Sequence, residues 1–381
     1  MKLGLLGILF STLLFLGFAY SCSSVESAPD SATLAEAQEI PVPKLTSRTV
    51  IEDFNKDGKL DLALVAKREF LRVYTNTEYK FDKYDDYVTS PLNISLCSAD
   101  FNNDGNMDLL PLTEANVGPF FLGSGGGGDG KFTNTNISLP FNGFGKFIHT
   151  ADLNNDSLPD FIATGDGLIA VYLNKGDLNF DIKEFYISQF MAKFISADDI
   201  DGNGFKDIIA PNYLYRNLMI IWNNGAGSFS DPIIAYASET GAGTMSAAVS
   251  IKYNDKPEPV IALAIESEAK LVMLEYSKSE KVFTVINTIE VPRYPVFLNK
   301  ADMNSDGLDD IIVTHLSPDK GLFTVLYGPS FTETSPITYK HINKQPMSAT
   351  IGDWSADGYP DIFVPDYNDE VLIYIPSPSA K

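Results

Sequence analysis

Along this chain, short apolar runs follow polar ones with almost no transition. Leu62 to Ala66, Leu109 to Leu112, Phe161 to Thr164, Ile208 to Pro211, Ile311 to Thr314 and Ile362 to Pro365 each come directly after a stretch crowded with aspartate, asparagine and glycine. Before each polar stretch lies another apolar segment, as in "NISLCSA", "KFIHTA" and "FLNKA". After each short run comes a third, as in "IAVYLN", "LMIIWN", "FTVLYG" and "EVLIYI". Turn sequences such as "NKGDLNF" and "NNGAGSF" then lead into a fourth. No stretch sustains a 3.6-residue period with helix caps, so the pattern predicts strands throughout.

The polar stretches align with one another. They read "DFNKDGKLD" from Asp53, "DFNNDGNMD" from Asp100, "DLNNDSLPD" from Asp152, "DIDGNGFKD" from Asp199, "DMNSDGLDD" from Asp302 and "DWSADGYPD" from Asp353. Their starts are separated by 47, 52, 47, 103 and 51 residues. The double interval holds a degenerate copy, "IKYNDKPEP" from Ile251, which keeps only Asp255 of the acidic set. Four short antiparallel strands in a unit of about fifty residues, repeated seven times, predict an all-β fold: a seven-bladed β-propeller of four-stranded blades. The last unit stops after a third strand, so residues near Ile40 to Leu45 are expected to supply its missing outer strand and remove an open seam.

Within each polar loop, positions 1, 3, 5 and 9 carry oxygen side chains and position 6 is usually glycine. Alternate positions in a tight loop can aim three oxygens at one point, glycine permits a left-handed turn, and position 7 can add its carbonyl. The resulting donor sets are Asp53, Asn55, Asp57, Lys59 and Asp61; Asp100, Asn102, Asp104, Asn106 and Asp108; and Asp152, Asn154, Asp156, Leu158 and Asp160. Further along they are Asp199, Asp201, Asn203, Phe205 and Asp207; Asp302, Asn304, Asp306, Leu308 and Asp310; and Asp353, Ser355, Asp357, Tyr359 and Asp361. All-oxygen sets of this kind suit Ca²⁺, which takes about 6–8 oxygen ligands, and the absence of His and Cys disfavours zinc or copper. An EF-hand opens similarly but closes with glutamate at position 12 between helices; here the closing aspartate is at position 9 and a strand follows. Ser157 in place of glycine must adopt the left-handed turn at a cost of roughly 1 kcal/mol. Ser355 is a weaker donor, and the Ile251 copy is expected to be metal-free.

The motif D-x-[ND]-x-[DN]-G-x-x-D followed by an apolar strand resembles the FG-GAP/VCBS repeat found in the integrin α-subunit propeller. The resemblance extends over residues 40 to 381. It implies a seven-bladed propeller with calcium-binding loops joining the first two strands of each blade, and ligands on or near the opposite face.

Composition adds a location. The net charge of −22 excludes a nucleic-acid footprint and electrostatic docking on anionic lipid. The donor positions of the six loops contribute 18 of the 50 acidic residues, so six Ca²⁺ would bring the chain to about −10 and much of the acidity is internal to the fold. Lys2, the apolar run Leu3 to Phe18 and the small residues Ala19 and Ser21 read as an export signal. Cys22 follows at once, as in bacterial lipoproteins, and is the expected lipidation site of an envelope-anchored protein, periplasmic or at the cell surface. Residues 22–39 read as a Ser/Ala/Glu/Pro tether, and 40–381 as a single, monomeric domain. Cys97, the other cysteine, is expected to be a small buried hydrophobe.

"GSGGGGDG" at 123–130 matches a dinucleotide fingerprint formally but lacks the following helix, and reads as a hairpin loop. His149, His315 and His341 share no ligand spacing; His149 is expected in a first strand, and His315 could line the face opposite the acidic loops. Loops on that face place Phe144, Phe190, Tyr213, Tyr215, Arg216 and Tyr294 around one surface, a composition suited to binding a protein or glycan. The sequence therefore predicts a non-catalytic binding module. A polysaccharide lyase or hydrolase on the same scaffold, and a structural envelope subunit, are the alternatives.

Overall fold

The computed structural model describes residues 37–377 apart from 68–69, 91, 125–129, 239–242, 255, 257, 317–321, 330, 332–333, 338–345, 347 and 367–369. The leader, Cys22, Asp255 and His341 lie outside the described residues.

Seven antiparallel sheets form seven blades. Their first strands are Thr46–Glu52, Asn93–Ala99, Gly145–Ala151, Ser196–Asp198, Met245–Ile251, Pro295–Ala301 and Thr350–Gly352. Residues of all seven line a central channel. Each second strand is buried along its whole length, as in Asp61–Ala66 and Asp207–Asn212, because it sits mid-sheet with a neighbouring blade against each face. That is why these segments read as unbroken apolar runs rather than alternating ones. The outer strand Tyr84–Val88 alternates, showing every second residue to solvent.

Ring closure follows the expected plan with an earlier register. Gln38–Pro41 pairs antiparallel with Val371–Ile375, setting Ile40 opposite Leu372. Ile40 and Val42 are buried with Leu62, Tyr74, Trp354, Phe363 and Tyr374, so one apolar cluster joins the two ends of the described chain. Phe81 stacks on Trp354 at 4.6 Å, and the Tyr74 hydroxyl donates to the Pro41 carbonyl at 3.0 Å.

Blade 2 departs from the four-strand plan. Its third strand is split into Asn116–Val117 and Phe121–Gly123, and its fourth into Phe132–Asn134 and Leu139–Pro140. Pro119 lies in the first break, where a residue without an amide hydrogen cannot continue the ladder.

The channel is divided into two cavities, of about 440 Å³ on the acidic-loop side and about 340 Å³ on the other. Arg48, Phe147 and Phe297 border both. Phe194 completes the aromatic group, 5.0 Å from each of the other two rings.

Candidate functional site

The six acidic loops share one hydrogen-bonding scheme, most complete in blades 1, 2, 4 and 6. The position-1 carboxylate accepts the amides of positions 5 and 6: Asp57 N–H to Asp53 Oδ1 at 3.1 Å and Gly58 N–H to Asp53 Oδ2 at 2.8 Å. The position-3 oxygen accepts the position-5 amide, as Asn102 Oδ1 does from Asp104 at 3.1 Å. The position-5 side chain accepts the position-7 amide, as Asn203 Oδ1 does from Phe205 at 2.8 Å. These bonds orient the side chains, and each carboxylate oxygen that holds one N–H retains a free lone pair.

Position 9 does more than close the loop. Asp207 Oδ2 accepts Ile200 N–H at 3.0 Å while Oδ1 accepts Asn223 N–H at 2.8 Å, beyond the end of the third strand. Asp61, Asp108, Asp160 and Asp310 repeat this brace with both oxygens. All five are buried, each inside the first residue of a second strand. Burial, followed by neighbouring loop carboxylates (those at positions 5 and 1 for Asp61, Asp108, Asp160 and Asp310, and Asp201 at position 3 for Asp207), raises their pKa values to about 6 for Asp61, Asp160 and Asp310 and about 7 for Asp108 and Asp207, although the amide hydrogen bonds pull the other way. A cation among these groups would reverse that penalty.

Two observations test whether the loops fit a metal. Oxygens of Asp199, Asp201 and Asp207 lie within 4.8 Å of one another, close enough to share an ion. In blade 3, Asp152 Oδ1 is buried and has no hydrogen-bond partner, whereas its counterparts in the other loops accept the position-5 amide. An anionic oxygen in that state wants a cation. The donor sets are oxygen throughout, so the residues fit a hard dication.

The two departures seen in the sequence have structural counterparts. Ser157 sits at φ 69°, in the left-handed region, while donating its amide to Asp152 Oδ2 at 3.0 Å. Ser355 turns away from its loop's position 5: its amide donates to Asp361 Oδ2 at 2.9 Å, and its hydroxyl lies 3.5 Å from Asp361 Oδ1. Ser377 takes up the contact to Asp357, its hydroxyl 3.3 Å from Oδ1.

Sequence reasoning missed two loop-associated features. Position 4 is also left-handed, at Lys56, Asn103, Asn155, Ser305 and Ala356 with φ between 54° and 60°, and at Gly202. Asparagines past or at the end of a third strand link the blades. Asn76, Asn174 and Asn223 donate their side-chain amides to the carbonyls of Trp354, Phe101 and Leu153, at position 2 of the preceding acidic loop. The signal was present as "YTN", "YLN" and "IWN".

The opposite face is less uniform than the sequence suggested. Phe144, Tyr215 and Tyr294 are 64%, 43% and 40% exposed, and Arg216, next to Tyr215 in sequence, is exposed. Tyr213 is half-buried, with the Lys193 ammonium 3.3 Å from its ring centre. Phe190 corrects the expectation: it is 2% exposed and packs in the core with Phe194 and Ile169, so its ring does not reach the surface. His315 is likewise buried, bonded to Thr324 Oγ1 at 3.1 Å, and lines no face. Cys97 is the buried small residue expected, with its thiol pKa pushed up by burial. Among the described residues no helix is long and apolar enough to cross a membrane.

The FG-GAP-like repeat model matches residues 53–110, 152–210 and 302–364. No curated protein sequence matches the chain. Among solved structures, BBS1N in complex with ARL6DN superposes with a TM-score of 0.62 at 11% identity, covering 92% of this chain and 99% of that one. Virginiamycin B lyase from Staphylococcus aureus gives 0.58 at 12% identity, covering 90% and 99%. An Agrocybe aegerita lectin specific for non-reducing terminal N-acetylglucosamine gives 0.54 at 14%, covering 86% and 87%. At these identities the likeness is one of fold. With seven blades in a closed ring, the chain is a seven-bladed β-propeller in which residues 53–110, 152–210 and 302–364 are FG-GAP-like repeats.

Proposed function

We propose that the chain is a calcium-stabilised propeller that serves as a non-catalytic binding module, exported and held at the cell envelope by a lipid on Cys22. Up to six Ca²⁺ ions would occupy the loops beginning at Asp53, Asp100, Asp152, Asp199, Asp302 and Asp353. The face opposite them would receive a protein or glycan. The unpartnered, buried Oδ1 of Asp152 carries the metal part of this reading, because only a cation or a proton would compensate it there. The metal's role is to neutralise and lock the loops; the protein's own carboxylates orient them. Of the solved structures of similar fold, one is complexed with ARL6DN and one recognises N-acetylglucosamine, which supports a binding role, while a third is a lyase and supports the catalytic alternative.

The test is metal content by mass spectrometry together with thermal unfolding of the full chain in 1 mM Ca²⁺ and in excess chelator. For a site with a Kd of ~10 μM, linkage contributes about 2.7 kcal/mol at ~1 mM calcium. Five or six bound Ca²⁺ and a higher melting temperature are expected. An unchanged melt would remove the metal claim, and product release from polysaccharides would replace the binding module with an enzyme.

A further inference from the structure

We propose that the channel mouth on the face opposite the acidic loops binds a small polyhydroxylated carboxylate, of the size and chemistry of a sugar acid. This deepens the binding-module reading and rests on it.

The first observation is charge. Strand direction places the 340 Å³ cavity on that face, since it is lined by residues at the starts of first strands, such as Ser47, Asn93 and Lys146. Its lining contains Arg48, Lys67, Lys146 and Lys193 and no acidic residue, in a chain whose net charge is −22. Clefts lined by one sign of charge concentrate ligands of the other. Lys67 and Lys146 have only half-exposed partners, Glu114 at 3.7 Å and Asp166 at 3.3 Å. Exposed pairs of this kind are worth roughly 0–1 kcal/mol, so both ammonium groups can turn to an incoming anion.

Arg48 provides the second. It is 8% exposed, and among the described residues no carboxylate lies within ion-pair distance of it. Its guanidinium rests on the faces of Phe147, 4.1 Å to the centroid, and Phe297, 4.6 Å. Burial lowers its pKa to about 9. Arg72, by contrast, is clamped by both oxygens of Asp86 at 2.6 and 2.8 Å. Ring faces satisfy the plane of a guanidinium but leave its edge donors, which match a carboxylate bidentately.

Third, three buried side-chain oxygens in the same cavity lack partners: Ser47 Oγ, Asn93 Oδ1 and Ser95 Oγ. Asn93 spends its amide hydrogens on the Ala66 carbonyl at 3.1 Å and Thr89 Oγ1 at 2.6 Å, so its oxygen can only accept. An acceptor-only group calls for a donor, which a carboxylate alone does not supply and a hydroxyl does. A cavity of this size lies at the lower end for small-molecule sites.

The experiment is calorimetric titration of the calcium-loaded full chain with D-glucuronate, D-glucose and acetate at equal ionic strength. Glucuronate should bind one per chain, at least tenfold tighter than glucose, which lacks the carboxylate, and than acetate, which lacks the hydroxyls. The double variant Lys146→Met/Lys193→Met, at the exposed rim, should weaken glucuronate at least tenfold while the melting temperature stays within 2 °C or so. Arg48→Met should abolish binding; if it also fails to fold, the rim variant still decides. Equal affinity for glucuronate and glucose, an unaffected rim variant, or no binding by a folded, calcium-responsive chain would each overturn the proposal. In the last case a calcium-dependent melt and retention of some other ligand would leave the binding module itself standing.

Discussion

Blades 4 and 5 are neighbours with the same four-strand order and opposite loops. Blade 4 gathers Asp199, Asp201 and Asp207 around one point. In blade 5, Ile251 still pairs with Val260 and every residue of both strands is buried. Its loop, however, has Tyr253 at position 3, Lys256 at position 6 and Pro259 at position 9. Tyr253 is buried, stacks on Phe331 at 5.7 Å and accepts Asn287 Nδ2 at 3.1 Å. Lys256 pairs with Glu275 at 2.7 Å, and Lys278 pairs with Glu258. A blade therefore does not need the acidic set. An aromatic plug and ion pairs occupy the ground where its neighbour crowds carboxylates, so the acidic loops represent a separate requirement placed on a fold that apolar strands already specify.

Removing metal gives the largest effect that would sharpen this contrast. With up to six sites at about 2.7 kcal/mol each, chelation should lower the melting temperature by more than about 10 °C. Hydrogen exchange should show the loss in the loop of blade 4 and not in that of blade 5. Equal loss of protection in both would break the comparison.

Next comes position 9. Asp207→Ala removes the acceptor of two buried amides and should cost ~3 kcal/mol in denaturant unfolding. Pro259→Ala, at the same position of blade 5, should cost under ~1 kcal/mol. Comparable losses would mean that Asp207 only fills space.

The chelated protein should also show an unusual pH response. Burial raises the folded-state pKa values of the position-9 aspartates to about 6–7, above their ordinary value of 3.8. An acid so raised contributes stability that is fully present below about pH 4 and lost as pH rises through 6 to 7. His149 and His315, lowered to about 4 by burial, act in the opposite sense, losing stability as pH falls below 6.5. Five aspartates outweigh two histidines, so in chelator the melting temperature at pH 5 should exceed that at pH 7. Calcium should invert the order. No inversion would place the aspartates outside the metal sites.

The smallest change is Ser157→Gly. Relief of the left-handed strain at φ 69° is offset in part by the flexibility of glycine in the unfolded chain, leaving about 0.5 kcal/mol of gain in calcium. A loss would show that the serine is held by something other than the turn.

The repeat, the blades, the closing strand and the acidic loops were legible because each is written locally, as alternation of strand and turn chemistry at a fixed interval. The brace from Asp207 to Asn223 and the reach of Asn223 into the previous blade were not, since both partners acquire meaning only when strands are stacked. Phe190 was misplaced for a related reason: a loop position on the correct face does not say whether its ring turns inward. Blade 2 shows the limit of averaging over repeats, because "NVGPFFLG" carries a proline where its siblings carry a ladder residue. The channel mouth assembles residues from blades far apart in sequence, and no window along the chain contains it.

The strand at Gln38–Pro41 has a consequence for how the chain is made. Its partner Tyr374 emerges from the ribosome 336 residues after Gln38. At roughly 5–20 residues per second, the strand waits about 20 to 70 s with its pairing edge unclaimed. Six blades can zip up in order of synthesis during that interval, but the ring cannot lock. A chain travelling to another compartment would make the journey with its clasp open, and fastening that clasp is the step in which a passing chaperone or a second nascent chain could compete.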